Sequence, residues 1–598
     1  MLQHDDRGVG EPTFELGEVP LRNAGSTGEH PPADAPLETG IPDAPPKLTE
    51  KSAFIASYCM HYAASKLLGM HYNASVRAVE DGTHYNAAAD LLERNLGSGS
   101  HRRAYVDDYG SCTYAALAER SRRFAGALRE LGVQREQRVV LALLDTIDFP
   151  TAFLGSILYG AIPVAASTLL PPADLAYVIA DSRAKVVVVS VELLPTLREA
   201  ISLAGWRGTV VVSNPANAPH DGEDATLEAL LSNALPQPQP AATHPDEPCF
   251  WLYSSGSTGK PKGTVHVHTS MLLTAELFAQ GVLGITSGDV VYSAAKLFFA
   301  YGLGNALSFP MSVGATTVLR SARVTPELVF RTVRETGATI FCGVPTLFGA
   351  MLAHEGLPKK GEHRLRICTS AGEALPEQLG RRWAERTGVD IVDGIGSTEM
   401  LHIFVSNRPG EVRYGTTGKP VPGYRVRLVD ETGNEVPRGE IGDLEVAGPT
   451  AAAHYWNNRA RSRATFIGEW TKTGDKFYEN DDGDLVHCGR SDDMLKVSGM
   501  WVSPGEVEAA LIAHEAVLEA AVIGATDKDG LVKPKAFVVL KPGAEPRDLT
   551  EVLQQHVKSL LAHFKYPRWI EFVDELPKTA TGKIRRVVLR ERQRERGD

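Results

Sequence analysis

Ala184-Lys185-Val186-Val187-Val188-Val189-Ser190 is four successive valines between small and polar residues. Valine is stiff at χ1 and fits a pleated surface, and an apolar run without alternation belongs to a strand covered on both faces. Outward from it the pattern alternates: a helix is expected over 114–131, a strand over 138–144, a helix over 152–159 and a strand over 162–166. Helix and strand in strict rotation indicate an α/β fold with parallel strands and crossover helices. The first globular pattern starts near Tyr85, with Leu91, Leu92 and Leu96 on one helix face and short strands at 104–106 and 112–114. The segment 214–248, with its Pro-Gln-Pro-Gln-Pro tract, is expected to be an exposed linker between two such layers.

Downstream of Phe250-Trp251-Leu252 the chain reads Tyr253-Ser254-Ser255-Gly256-Ser257-Thr258-Gly259-Lys260-Pro261-Lys262-Gly263. A strand thus runs into a loop whose backbone N–H groups can approach phosphate oxygens while Ser, Thr and Lys add donors and positive charge. A Walker loop requires four residues between its glycines and Ser or Thr after the lysine. Here Gly256 and Gly259 enclose two, and Pro261 follows Lys260, so the loop suits a triphosphate without being of Walker type.

The 598 residues allow several domains, and 43% hydrophobic with 23% charged residues is ordinary globular composition. A net charge of -11 is opposite to the basic footprint of a nucleic-acid binder. Cys59, Cys112, Cys249, Cys342, Cys368 and Cys488 form no close pair, which argues against a zinc site or disulfide framework and fits a reducing cytoplasm. The uncharged stretches 149–173 and 297–319 carry prolines and glycines that make them helix, turn and strand rather than membrane spans. Residues 1–83 are expected to be a disordered or partly helical extension without the features of a secretory or transit signal, and a translation start near Met70 is compatible with this. The large α/β domain is expected over 84–489 and a small mobile α+β lid over 490–598, with a helix at 504–512, strands at 519–524 and 535–541, and a helix at 549–561.

The loop at 253–263 closely resembles the signature loop of the adenylate-forming superfamily, which includes acyl-CoA synthetases and nonribosomal-peptide adenylation domains. Further motifs follow in the family's order. Ser370-Ala371-Gly372-Glu373 is similar to its adenine-side loop, and Asp393-Gly394-Ile395-Gly396-Ser397-Thr398-Glu399 to the motif in which Thr meets phosphate and Glu holds Mg²⁺. Ile395 stands where the family commonly has an aromatic residue. Thr473-Gly474-Asp475 and Arg490 match the ribose-binding residues, and Asp492 the hinge. Lys496, Ser498 and Gly499 match the segment that faces the site after domain rotation, Ser498 and Gly499 lining a coenzyme A channel. Leu576-Pro577-Lys578-Thr579-Ala580-Thr581-Gly582-Lys583 resembles the C-terminal motif, which would make Lys583 the catalytic lysine.

That resemblance implies an ATP-, Mg²⁺- and coenzyme A-dependent acid:thiol ligase, with Ser254 through Lys260, Ser370 through Glu373, Asp393, Gly394, Ser397, Thr398, Asp475 and Arg490 binding ATP. Lys296-Leu297-Phe298-Phe299-Ala300-Tyr301-Gly302-Leu303-Gly304-Asn305 and Glu399-Met400-Leu401-His402-Ile403-Phe404 closely resemble benzoate-CoA ligases. They imply an aryl slot lined by Ala300, Tyr301, Gly302, His402 and Ile403, an acid such as benzoate, and a first step of aromatic acid degradation. Ligases for 4-hydroxybenzoate, 2-aminobenzoate or medium-chain acids remain as alternatives, as does a carrier-loading adenylation protein. No nucleic-acid or membrane partner is expected, and the protein is expected to be a monomer or homodimer. His266 and His268 alternate on a presumed strand and are not expected to be catalytic.

Overall fold

The structure, a computed structural model, describes residues 84–219, 224–254, 260–497, 500–528, 531–578 and 584–596. The expected extension 1–83 and the site candidates Ser255, Gly256, Ser257, Thr258, Gly259, Ser498, Gly499 and Lys583 lie outside them.

The valine run forms the strand Val186–Ser190, every residue of it buried. It lies inside an eight-stranded sheet with the order His454–Tyr455, Lys262–Val267, Pro248–Ser254, Ile162–Ala165, Arg138–Ala142, Val186–Ser190, Thr209–Ser213, Ala225–Thr226. The neighbours of the valine strand are parallel, with Val188 opposite Leu141 on one side and Val211 on the other. A nine-stranded sheet has Arg103–Val106, Thr316–Val318, Val290–Ser293, Ile340–Gly343, Ile367–Ser370 and Ile391–Gly396 as its parallel centre. One core joins the two sheets: Phe124 of helix Tyr114–Glu130, Phe149 and Phe153 of helix Asp148–Tyr159, Phe250, and Leu297 and Leu303 all belong to it. Gly160 ends the second of those helices at φ 86, a left-handed position where a side chain would be strained.

A five-stranded antiparallel sheet follows, with Trp470–Glu479 paired to Leu485–Arg490. That last strand runs through the break expected after Gly489 and ends two residues before Asp492. Beyond it, Leu495–Val497 pairs with Met500–Val502, and a three-stranded sheet of Val517–Thr526, Val532–Leu540 and Trp569–Phe572 packs with helices Pro504–Ile512 and Leu549–Leu560 around a core that includes Val507, Leu511, Val522, Val538 and Leu553. These are the elements of the expected α+β lid. The architecture is the expected mixed α/β one, a large N-terminal part and a smaller C-terminal part.

The segment 214–248 corrects the expectation of a linker. It contains the strand Ala225–Thr226, which closes one edge of the eight-stranded sheet, and the helix Leu227–Asn233 with Leu227 and Leu231 buried. Gln237 donates its N–H to Arg122 O at 2.8 Å, and Ala241 donates to Leu158 O at 2.8 Å. The strand after it, Pro248–Ser254, belongs to the same sheet as the strands before it, so the segment is a crossover within one layer.

Among the described residues no helix is long and apolar enough to cross a membrane. The two uncharged stretches are resolved into short elements: helix Asp148–Tyr159 with strand Ile162–Ala165, and helices Ala300–Leu303 and Phe309–Val313 with strand Thr316–Val318.

Candidate functional site

The candidate loop 253–263 falls between the strand Pro248–Ser254 and the antiparallel strand Lys262–Val267. That hairpin aims Lys262 at the motif 393–399. The Lys262 ammonium lies 3.3 Å from Glu399 Oε1, and the Tyr455 hydroxyl donates to the same oxygen at 2.6 Å. Tyr455 arrives on the strand His454–Tyr455, which pairs with Lys262–Val267 and places Tyr455 opposite Thr264. Burial works to raise the Glu399 carboxyl, but the Lys262 charge and the Tyr455 hydrogen bond outweigh it and hold the group below the usual carboxylate range. Glu399 is therefore a carboxylate with both contacts on one oxygen. A Mg²⁺ ion is commonly held by one or two carboxylates together with substrate phosphates and water, so this donor fits that ion.

Thr398 is fixed from behind, where His266 Nε2 lies 2.8 Å from Thr398 O. Burial pushes His266 down to about 4, so the ring is neutral and Nε2 carries the proton to that carbonyl. His268 accepts the Ala87 N–H at Nδ1, 3.1 Å away. Both rings thus have backbone partners. Ser397 Oγ accepts the Met400 N–H at 3.1 Å, a turn-closing contact.

The adenine-side loop and the 393–399 motif are brought together by the sheet, since Ser370 stands opposite Asp393 on adjacent parallel strands. Burial pushes the Asp393 carboxyl up to about 8, and its Oδ1 has no hydrogen-bond partner among the described residues. Gly394 lets Ile403 and the Val405 carbonyl approach, because a Cβ there would lie 2.9 Å from each. Ile395, in the position expected to be aromatic, is half-buried beside Val405.

Two of the aryl-slot candidates, Tyr301 and His402, converge. Tyr301 and His402 have ring centroids 5.4 Å apart, and His402 further packs on Phe309 at 4.4 Å and Phe278 at 5.4 Å. Tyr301 and Thr369 share a hydroxyl hydrogen bond of 2.6 Å, and His402 Nε2 lies 3.3 Å from Tyr301 O. Burial drives His402 down to about 3, so it is a neutral aromatic wall at physiological pH. Gly304 makes room for that ring, since a Cβ would stand 2.4 Å from His402 Cδ2. Both helices here carry a π-type turn, Ala275–Gln280 around Phe278 and Gly304–Ser308 after Tyr301; such turns widen a helix and recur at functional sites. Gly302 is buried against the 295–296 backbone.

Four candidates sit in other surroundings. Asp475 and Arg490 pair at 3.1 Å across the strands of the five-stranded sheet, with His487 Nε2 at 3.5 Å from Asp475. Lys496 is exposed, and its described contacts are Glu431 at 3.1 Å and the Trp501 ring at 5.2 Å, away from the Glu399 cluster. Asp492 is exposed next to Asp493, which binds Arg590 at 2.8 Å.

Lys262, Tyr455, Thr369 and His266 belong to this arrangement without having been assigned roles from sequence. Lys262 was visible inside the loop; Tyr455, far along the chain on a two-residue strand, had no local signal.

The AMP-binding enzyme family model matches residues 92–456, and the AMP-binding enzyme C-terminal domain model matches 506–583. The chain belongs to the AMP-binding enzyme family. This AMP-binding enzyme is 58% identical over 517 residues to the benzoate–CoA ligase of Thauera aromatica, an alignment covering 86% of this chain and 97% of that one. It superposes on the crystal structure of a benzoate CoA ligase from Burkholderia xenovorans LB400 with a TM-score of 0.79 at 52% identity, covering 85% of this chain and 100% of the other. An anthranilate CoA ligase solved with anthranoyl-AMP matches with a TM-score of 0.81 at 43% identity, covering 86% and 98%.

Proposed function

We propose that the protein is an AMP-forming ligase that joins an aromatic carboxylate, benzoate first among them, to coenzyme A. The observation that carries this reading is the aromatic nest of Tyr301, His402, Phe278 and Phe309 next to the strand pair holding Ser370 and Asp393. A flat ring seated there lies one strand away from the motif that ends in Glu399. The benzoate and anthranilate ligases it resembles support an aryl acid over an alkyl one.

The reaction has two halves. A carboxylate oxygen attacks the α-phosphorus of ATP and pyrophosphate departs with the bridging electron pair, leaving an acyl-adenylate. The coenzyme A sulfur then attacks the acyl carbon, AMP leaves with the ester oxygen, and the thiol proton passes to solvent. Mg²⁺, held by Glu399, would supply charge neutralisation for the departing pyrophosphate. Lys262 and Tyr455 keep Glu399 ionised and oriented for that task. Asp475 and Arg490 are assigned to the nucleotide ribose and Asp492 to the hinge. Lys583 is assigned to the first half-reaction, where a compact cation between carboxylate and α-phosphate stabilises the charge that moves between them. Lys496, Ser498 and Gly499 are assigned to the second, after the lid turns. The buried free thiols Cys112, Cys249, Cys342, Cys368 and Cys488 support placing the enzyme in the cytoplasm.

The test is to incubate the protein with benzoate, ATP, Mg²⁺ and coenzyme A and resolve products by HPLC. Benzoyl-CoA and AMP appear together, and Lys583→Ala abolishes pyrophosphate release measured without coenzyme A. A Lys583→Ala enzyme that still releases pyrophosphate while losing only the thioester contradicts the role given to Lys583. Failure of the wild type to form benzoyl-CoA contradicts the activity itself.

A further inference from the structure

The strand Arg138–Ala142 of one sheet and the strand Val290–Ser293 of the other send their carboxyl ends toward a common region, as open α/β sheets do where they bind ligands. Asp145 follows the first strand and is almost wholly enclosed, at 4% exposure. Its Oδ1 accepts the Leu297 N–H at 3.1 Å, and its Oδ2 lies 3.8 Å from the Lys296 ammonium. That ammonium also donates to Arg320 O at 2.5 Å and to Ala322 O at 3.1 Å. The turn at 296–297 is thus gripped by two separate segments, Asp145 on one side and the 320–322 backbone on the other. Burial outweighs the opposing pull of Lys296 and the Leu297 N–H and leaves the Asp145 carboxyl raised to about 6.

The gripped turn is the seat of the helix Ala300–Leu303. Phe299 donates its N–H to Lys296 O at 3.0 Å, and a Cβ on Gly302 would lie 2.0 Å from that same carbonyl oxygen and 2.6 Å from Ala295 O. The helix therefore lies directly on the backbone of the turn, with no side chain between them to absorb a shift. Tyr301, adjacent to Gly302, carries the position of the helix to Thr369 at 2.6 Å and to His402.

We propose that Asp145 is a positioning residue for the acid pocket: by holding the Lys296–Leu297 turn it sets where the helix places the Tyr301 ring against His402. It acts through packed backbone and never touches the acid. The inference rests on the reading of Tyr301 and His402 as the acid pocket. A displacement of reacting groups by about 1 Å costs up to about 100-fold in rate, so even a small drift of this helix is measurable.

The experiment measures KM for benzoate, KM for ATP and kcat in Asp145→Ala, Asp145→Asn and Tyr301→Ala, with each variant's fold checked by thermal denaturation. Asp145→Ala is expected to raise the benzoate KM about tenfold or more while the ATP KM stays within about twofold. Asp145→Asn keeps an oxygen for the Leu297 N–H and is expected to fall between it and wild type; it carries the test if the alanine variant does not fold. A benzoate KM within twofold of wild type in a folded Asp145 variant overturns the inference, as does an equal rise in both KM values. If Tyr301→Ala leaves the benzoate KM unchanged, the pocket reading itself fails. If Tyr301→Ala raises it and both Asp145 variants do not, only the positioning role fails.

Discussion

Lys262 and Tyr455, 193 residues apart, converge on one oxygen of Glu399, at 3.3 Å and 2.6 Å respectively. The ammonium is also 4.4 Å from the Tyr455 ring centroid, so cation, hydroxyl and carboxylate form a closed triad at the end of the phosphate loop. Removing Lys262 leaves a largely buried carboxylate without its counter-charge. Lys262→Met and Glu399→Gln are each expected to lower kcat for pyrophosphate release by about 100-fold, the scale of losing one preorganised charge. Tyr455→Phe, which removes one neutral donor, is expected to cost about tenfold. Rates of pyrophosphate release with benzoate and ATP alone check all three, and an unaltered Lys262→Met rate contradicts the role of the triad.

Gly304 is the clearance for the His402 ring. A Cβ there would stand 2.4 Å from His402 Cδ2, 2.8 Å from Nε2 and 3.0 Å from Phe309 Cζ. Overpacking of this kind costs about 1–3 kcal/mol, and the ring is the part able to yield. Gly304→Ala is expected to raise the benzoate KM by about tenfold, equivalent to roughly 1.4 kcal/mol, with the ATP KM nearly unchanged. Competition kinetics against ATP and benzoate separately distinguish this from general damage.

Asp393 predicts a pH dependence of stability. Its carboxyl is raised to about 8 by burial, from an ordinary value of 3.8. Between those values the folded state holds a proton that the unfolded state has released, so the contribution is fully present below the lower value and is lost as pH rises through the upper one. Asp393→Asn mimics the protonated form at every pH. Relative to wild type, the variant is therefore expected to gain roughly 2 kcal/mol of stability between pH 6 and pH 8. Urea midpoints at the two pH values check this; parallel curves for the two proteins contradict a neutral Asp393.

In the small domain, Arg586 binds Glu508 through Nη2 at 2.7 Å and lies 3.6 Å from Asp493, while Glu508 Oε1 also accepts the Val522 N–H at 2.7 Å. Burial works against the Arg586 charge, yet the carboxylates around it raise its pKa overall. This couples the helix Arg586–Arg596, which follows the Lys583 segment in the chain, to the residue next to the hinge candidate. Glu508→Ala removes the nearer carboxylate of a mostly buried guanidinium, leaving it Asp493 at 3.6 Å, and is expected to lower stability by about 3 kcal/mol. A two-domain denaturation profile in which only one transition shifts is the expected signature, read by calorimetry.

The elements legible in the sequence are those whose cause is local. The valine run could only be a buried strand, and Pro504–Ile512 announces itself by Ser503 before Pro504, a capping hydroxyl that accepts the Glu506 N–H at 3.2 Å. The segment 214–248 was not legible, because a seven-residue helix with two buried leucines is too short to show a period against so many prolines. Within the candidate site, Tyr301 and His402 could be marked by family resemblance, whereas Thr369 and Tyr455 become partners only when sheets align residues distant in sequence.

The central claim, an aryl acid as the activated substrate, is tested most directly by kcat/KM for acyl-CoA formation across benzoate, 4-hydroxybenzoate, 2-aminobenzoate and octanoate. The account predicts the highest value for benzoate, lower values for the substituted rings and the lowest for octanoate. Octanoate as the best substrate would contradict it.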